Sequence, residues 1–128
     1  MEVTIEKLII NNLLTNEEYT RKVIPFLKEE YFHDSTIKTI FNNVSSFILK
    51  YNSQPTKESL AITIDENKDL TETDFKNVVE VIDEVFSYKD DHDETWLLEQ
   101  TEKFCKDKAV YNAIMESIHI IDGKSTTK

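Results

Sequence analysis

The sequence predicts an all-α domain, and three observations lead to that prediction. The 128-residue chain has only one Gly and two Pro, whereas sandwiches, barrels and doubly wound α/β folds need several glycines for turns or for close approach to phosphates. Hydrophobic residues recur at intervals of three and four, which is the period of amphipathic helices. The composition, 39% hydrophobic and 31% charged, is that of a soluble globular protein with one core.

The first two helices are marked by residues that cap or break them. Thr4 is expected to cap the first helix, and Asn16 both interrupts it and starts the second. Pro25 should kink the second helix or end it near Ile24, because proline removes a helical hydrogen bond and restricts the residue before it. The connector 29–33 puts two aromatic residues at a corner of the core. The predicted apolar face of the second helix consists of Tyr19, Val23, Phe26 and Leu27.

Three further helices follow. Asp34 or Ser35 caps the third, which is the clearest amphipathic helix of the chain. Thr56 caps a short fourth helix, and Thr71 with Asp74 forms a variant capping box at the start of the fifth. The apolar face of the third helix is predicted to be Ile37, Ile40, Phe41, Val44, Phe47, Ile48 and Tyr51.

The sixth helix, predicted from about Thr95 to Ile121, is too long for a domain of this size. It would span about 40 Å at 1.5 Å per residue, against a radius of gyration near 14 Å. Apolar residues cover more than half the circumference of its second half, so we expect one face to pack on the body and the rest to meet another helix, from a partner or from sequence beyond Lys128. The alternative is that this helix is buried at the centre.

The predicted organisation is therefore a compact bundle of about five helices followed by a long helix. Residues 1–94 form the globule, 95–122 form a helix that partly packs and partly projects for assembly, and 123–128 form a frayed end. The predicted interface consists of Val110, Ile114, Met115, Ile118 and Ile121. Phe104 and Tyr111 are predicted to lie beside these residues and to belong to the same interface.

The charge of the chain is concentrated in one segment. The formal net charge is −10, and residues 65–102 carry 14 acidic and 3 basic side chains. A domain that binds nucleic acid should show the reverse, a basic surface that displaces counterions from phosphate. Direct nucleic-acid binding is therefore disfavoured, and the segment is either a solvated acidic face or a surface that attracts a basic partner.

No pattern in the sequence predicts catalysis, a cofactor or a metal site. Residues 123–125 read Gly-Lys-Ser but lack the earlier glycine and the flanking strand and helix of a phosphate-binding loop. His33, His92 and His119 are scattered without a second ligand at metal-binding spacing. The single Cys105 requires no oxidising compartment, and no run is long enough to span a membrane. We expect a cytoplasmic protein.

Taken in order, these segments resemble the N-terminal domain of DnaB-type replicative helicases, most closely those of T-even-type phages. The resemblance covers nearly the whole chain. The residues that carry it are Leu8–Leu14 with the break at Thr15-Asn16, Glu29-Glu30-Tyr31-Phe32, Ile40-Phe41, Gln54-Pro55, the short helix around Leu60, and Lys106-Asp107-Lys108-Ala109-Val110-Tyr111.

The resemblance implies a helical globule followed by a helical hairpin through which subunits pair. Those pairs form a collar on a hexameric ring, and the collar also contacts primase. ATP and Mg²⁺ belong to a motor domain on the C-terminal side, so no family active-site residue is carried over to this chain. On this interpretation the long helix is one arm of a hairpin that is truncated near its tip at Asp122-Gly123, and in a phage protein the compartment is the host cytoplasm.

Two other functions fit the sequence. The helicase-binding domain of bacterial primases is a similar helical bundle, so the chain could be a helicase-binding adaptor of that type or a helicase loader. The acidic segment 65–102 also fits a free-standing regulator that mimics DNA. Enzymatic activity of these residues is the least favoured interpretation.

Overall fold

The computed structural model of the chain describes residues 4–67, 69–89 and 92–121. Within these ranges the chain forms six α-helices, one short 3₁₀ turn (Glu29–Tyr31) and no strand, so the all-α prediction is confirmed. The predicted frayed end, 123–128, lies outside the described residues. The helices are α1 (Ile5–Thr15), α2 (Glu17–Val23), α3 (Ser35–Tyr51), α4 (Lys57–Asp65), α5 (Glu72–Phe86) and α6 (Glu94–Ile121).

The predicted capping residues start their helices. The side chains of Thr4, Asn16 and Asp34 accept hydrogen bonds from backbone amides in the first turns of α1, α2 and α3. Thr56 and Thr71 each form a reciprocal capping box with the residue three positions later. These bonds satisfy amides that have no partner inside a helix, which explains why the helices begin at these residues.

The centre of the core is α1 and not the long C-terminal helix. Ile9, Ile10 and Leu13 have no exposed surface, and α1 packs against α2, α3, α5 and α6. Because α1 already fills the middle of the bundle, α6 can pack only along one side. The alternative in which α6 is the buried central helix is therefore wrong.

A buried polar network joins the break between α1 and α2 to the loop after α3. The Gln54 side chain donates to the Leu13 carbonyl oxygen at 2.6 Å and contacts the Thr20 hydroxyl at 3.2 Å. The Thr20 hydroxyl in turn lies 3.3 Å from the Asn12 carbonyl oxygen. Gln54 thereby satisfies the Leu13 carbonyl oxygen, which a continuing helix would have bonded, whereas the Asn12 carbonyl oxygen also accepts from the Asn16 amide at 2.9 Å.

Two aromatic residues predicted on apolar faces are exposed instead, so those assignments are wrong. Phe26 is 67% exposed because α2 ends at Val23 and the chain turns at Pro25, which takes the next residue off the helical face. Tyr51 is 55% exposed at the last position of α3, where its ring lies 4.6 Å from that of Phe47.

The first half of α6 packs on the body. Asp93 caps the helix through a hydrogen bond from the Trp96 amide at 2.9 Å. Leu97, Thr101 and Phe104 are then buried on the inner face.

No helix within the described residues has the length and apolar content that crossing a bilayer requires.

Candidate assembly surface

The second half of α6 leaves the body as a projecting arm, defined here as residues 109–121. From Ala109 to Ile120 every side chain is exposed except that of Asn112, which is half-buried. The last described contacts with the body are made by Tyr111 and Asn112. The remaining nine residues extend about 13 Å at the rise of an α-helix.

Four of the exposed apolar residues of the arm share one face, whereas the exposed Ile120 lies on the opposite side. Tyr111, Ile114, Met115 and Ile118 follow the spacing i, i+3, i+4, i+7, which places them within an arc of about 100°. Their exposed fractions are 50%, 53%, 37% and 44%. We call these four residues the arm stripe. Such a stripe has the width that one helix presents to another, so its geometry suits helix–helix packing.

The other predicted interface residues occupy different positions. Val110 is 58% exposed at one edge of the arm stripe. Phe104 lies in the core at 6% exposure, with its ring centroid 5.4 Å from that of Phe32, so it supports the surface from beneath. The side chain of Ile121 lies outside the described residues.

A shallow groove continues the face of the arm stripe onto the body. It has a volume of about 380 Å³ and lies between the start of α1 and α6. Tyr111 belongs to both the groove and the arm stripe, and the Lys108 ammonium lies 5.9 Å from the centre of the Phe104 ring. The groove is lined by Ile5, Gln100, Lys103, Phe104, Asp107, Lys108 and Tyr111. A helix packed along the arm stripe could therefore reach the body.

Much of the described acidic segment is engaged in local contacts. Asp74 completes the capping box of α5. Asp83 and Glu94 pair with Lys57 and Lys22 on neighbouring helices. The sequence did not decide whether the acidic segment 65–102 is a solvated face or a surface for a basic partner. Within its described part, several of the acidic side chains are used in helix caps and ion pairs. Asp90 and Asp91 lie outside the described residues.

Another groove runs between α2 and α6 and was missed by sequence reasoning. It has a volume of about 600 Å³, and both the exposed Phe26 and Cys105 line it. Burial raises the pKa of the Cys105 thiol, which keeps it protonated and poorly nucleophilic. The described residues contain no group of His, Cys, Asp and Glu side chains suited to hold a metal ion.

Comparison with known proteins gives two matches. Residues 1–93 match the sequence model of the family described as "DnaB-like helicase N terminal domain". The chain is also 31% identical over 114 residues to a "DnaB-like replicative helicase" of Enterobacteria phage T4. That alignment covers 89% of this chain and 23% of the phage protein, so this chain spans less than a quarter of that relative. An alignment of this length must extend into α6.

Proposed function

This chain belongs to the family of DnaB-like helicase N-terminal domains, and on that premise we propose that it is the assembly domain of a phage replicative DNA helicase. Its task would be to pair subunits through the arm stripe, so that pairs of domains form a collar on a hexameric ring. Family membership supports the helicase role, and the exposed arm supports the pairing role.

The observation that carries this proposal is the exposed arm stripe. Four large side chains with 37–53% exposure on one face of a projecting helix form a contiguous apolar surface, and such surfaces mark interaction sites in soluble proteins. Fully burying a side chain of this kind contributes about 1.5–3 kcal/mol. Covering the exposed half of four of them would therefore contribute about 4 kcal/mol per arm.

The proposal divides the work of the helicase between this domain and the rest of the polypeptide. We assign ATP, Mg²⁺ and the contacts with DNA to the part of the helicase that this chain does not cover, because the T4 relative is more than four times as long as the aligned region. This domain would then contribute assembly and not hydrolysis. A returning helix after α6 would cover part of the arm stripe in the complete hairpin, and the helicase would act in the host cytoplasm.

We also propose that the collar docks primase. This part rests on the likeness to the family, and no residue of this chain is assigned to the contact. Mixing the chain with the primase of the same phage and measuring co-migration in size-exclusion chromatography tests it. A shift of both proteins to a common larger species is expected, and separate elution at concentrations of tens of micromolar would count against docking.

The pairing is tested by placing a charge in the arm stripe. Ile114→Asp and Ile118→Asp should each weaken self-association at least about tenfold, because a carboxylate must then be desolvated in the contact. Sedimentation equilibrium of the chain measures the association constant, and circular dichroism checks that the body stays folded.

The matched control is Ala113→Asp. It adds the same charge and loses more helix propensity than the two Ile variants, at an exposed position of the same arm that lies about 150° around the helix from the centre of the arm stripe. We expect this variant to associate like the wild type. If all three variants and the wild type show the same oligomers, the pairing role is refuted.

A further inference from the structure

Asn112 ties the arm to the body at the point where the arm leaves it. Its side-chain amide donates to the backbone carbonyl oxygen of Glu30 at 3.0 Å. Its side-chain oxygen lies 3.2 Å from Nε2 of His33. These two partners belong to the corner formed by the 3₁₀ turn and the residues that lead from it into α3, about 80 residues away in the sequence. Asn112 therefore makes a tertiary contact within an otherwise exposed stretch.

The donor and acceptor pattern fixes the roles of all three groups. The Glu30 carbonyl oxygen can only accept, so the NH₂ group of Asn112 must face it and the amide oxygen must face His33. That oxygen can only accept, so Nε2 of His33 must carry a proton. Neutral His33 is thus held in its Nε2–H tautomer.

The contact is part of a larger joint between α6 and the corner. The His33 ring lies 5.2 Å from the ring of Tyr111. The ring of Phe32, one residue earlier, makes a tilted contact with the ring of Phe104, about one and a half turns before the arm begins. The corner therefore contacts α6 with aromatic rings as well as hydrogen bonds. Asn112 is the last described tie in this joint, and the described side chains beyond it make no hydrogen bond, ion pair or ring contact with the body.

Asparagine is the side chain that this geometry requires. Aspartate would place a carboxylate oxygen against the Glu30 carbonyl oxygen, and alanine would leave that oxygen and His33 without their partner. Glutamine carries the same groups but is one methylene longer, which displaces both bonds. A residue on the polar side of an amphipathic helix normally tolerates all three changes.

We propose that Asn112 is an orientation anchor, which holds the arm in one direction relative to the body and so fixes where the arm stripe faces. The consequence for assembly rests on the proposed function; the anchoring itself does not. An arm that is already oriented loses less conformational freedom when it packs against another helix, so anchoring favours association.

The direction of the arm is measured by the distance between spin labels on Ser46 of α3 and Glu116 of the arm, both of which are exposed. The labels are attached to cysteines in a Cys105→Ala background, and an excess of unlabelled chain removes distances between copies. Asn112→Ala and Asn112→Asp should raise the population outside the wild-type distance range about tenfold, as the loss of one to two neutral hydrogen bonds predicts.

Two controls separate anchoring from a general effect on the arm. Ser117→Ala changes an exposed arm residue and should leave the distance distribution unchanged. His33→Gln can still supply an NH group to Asn112, so its distance distribution should stay close to that of the wild type, whereas that of His33→Ala should broaden.

The tautomer of His33 gives a second test. Nitrogen chemical shifts of His33 at mildly alkaline pH should report the Nε2–H tautomer. Unchanged distances in both Asn112 variants, or the opposite tautomer, would refute the anchor.

The two proposals fail in different ways. If the Asn112 variants broaden the distance distribution but self-association is unaffected by Ile114→Asp, the anchor stands and the pairing role fails. If the distances do not change while Ile114→Asp abolishes association, pairing stands and the anchor fails.

Discussion

Replacing Glu84 by Gln should destabilise the domain by about 2 kcal/mol at neutral pH. Glu84 lies on α5 and is only 8% exposed. The Lys7 ammonium of α1 is 3.1 Å from each of its carboxylate oxygens, and the Tyr88 hydroxyl donates to one of them. The carboxylate therefore joins α1, α5 and the segment after α5 through charged hydrogen bonds.

The magnitude follows from the burial of the two partners. Removing one partner of a fully buried ion pair costs about 3–5 kcal/mol. Here the side chain of Glu84 is 6% exposed but that of Lys7 is 21% exposed, so water stabilises part of the charge that remains. Glutamine also keeps the shape of the side chain and one acceptor, which lowers the expected loss to about 2 kcal/mol.

The effect should depend on pH in a defined direction. Burial alone would raise the pKa of the Glu84 carboxyl, but the hydrogen bonds from Tyr88 and Lys7 outweigh burial and hold that pKa below its ordinary value of 4.5. A carboxyl with a lowered pKa in the folded state stabilises the fold above its ordinary pKa, and this contribution is lost as the pH falls through the lowered value. The difference in unfolding free energy between wild type and Glu84→Gln should therefore be complete above pH 4.5 and shrink in stronger acid.

Urea denaturation followed by circular dichroism, repeated at several pH values, measures this difference. Asp83→Asn is the matched control, because Asp83 is the neighbouring residue and pairs with Lys57, but both side chains are about half exposed. We expect the control to cost less than about 1 kcal/mol. Equal losses in the two variants, or a loss in Glu84→Gln that persists unchanged in acid, would refute the reasoning.

Three further predictions concern the core. Gln54→Ala should lower the unfolding free energy by about 1–2 kcal/mol, because the buried Leu13 carbonyl loses its 2.6 Å bond; no loss in urea denaturation would contradict this role. Tyr19→Phe should cost about 1 kcal/mol, since its buried hydroxyl lies 2.6 Å from that of Thr101, and the cost should shrink when Thr101 is already Val. Alkylation of Cys105 at neutral pH should be several-fold slower in the folded than in the unfolded chain, because burial raises its pKa; equal rates would show an accessible thiolate.

Features set by local chemistry could be predicted from the sequence. Helix starts depend on one side chain and amides two or three residues away, so Thr4, Asn16, Thr56 and Thr71 could be assigned as caps without knowing the fold. For α3 the sequence left Asp34 and Ser35 open, and Asp34 is the cap. The excess of apolar surface on the last helix could likewise be predicted from the positions of its apolar residues around the helix. Both depend on short separations along one helix.

Features that depend on distant parts of the chain could not be predicted. Gln54 has an ordinary loop sequence around it, and its role appears only when α1 ends beside it. The contacts of Asn112 could not be predicted, because its partners Glu30 and His33 come from a corner whose position depends on the whole bundle. The exposure of Phe26 follows from the direction of the turn after α2, which helical periodicity does not contain.

The two halves of α6 show why apolar content alone does not predict burial. In the first half three buried positions, Leu97, Thr101 and Phe104, face a body whose centre is already filled by α1. The second half is more apolar, yet its described side chains beyond Asn112 are all exposed. If the arm were attached flexibly, a partner would have to restrict its motion on binding, at a cost in conformational entropy. The hydrogen bond between Asn112 and His33 restricts the direction of the arm before a partner binds. Exposure of the arm stripe and fixation of its base therefore favour the same event, the packing of this face against another helix.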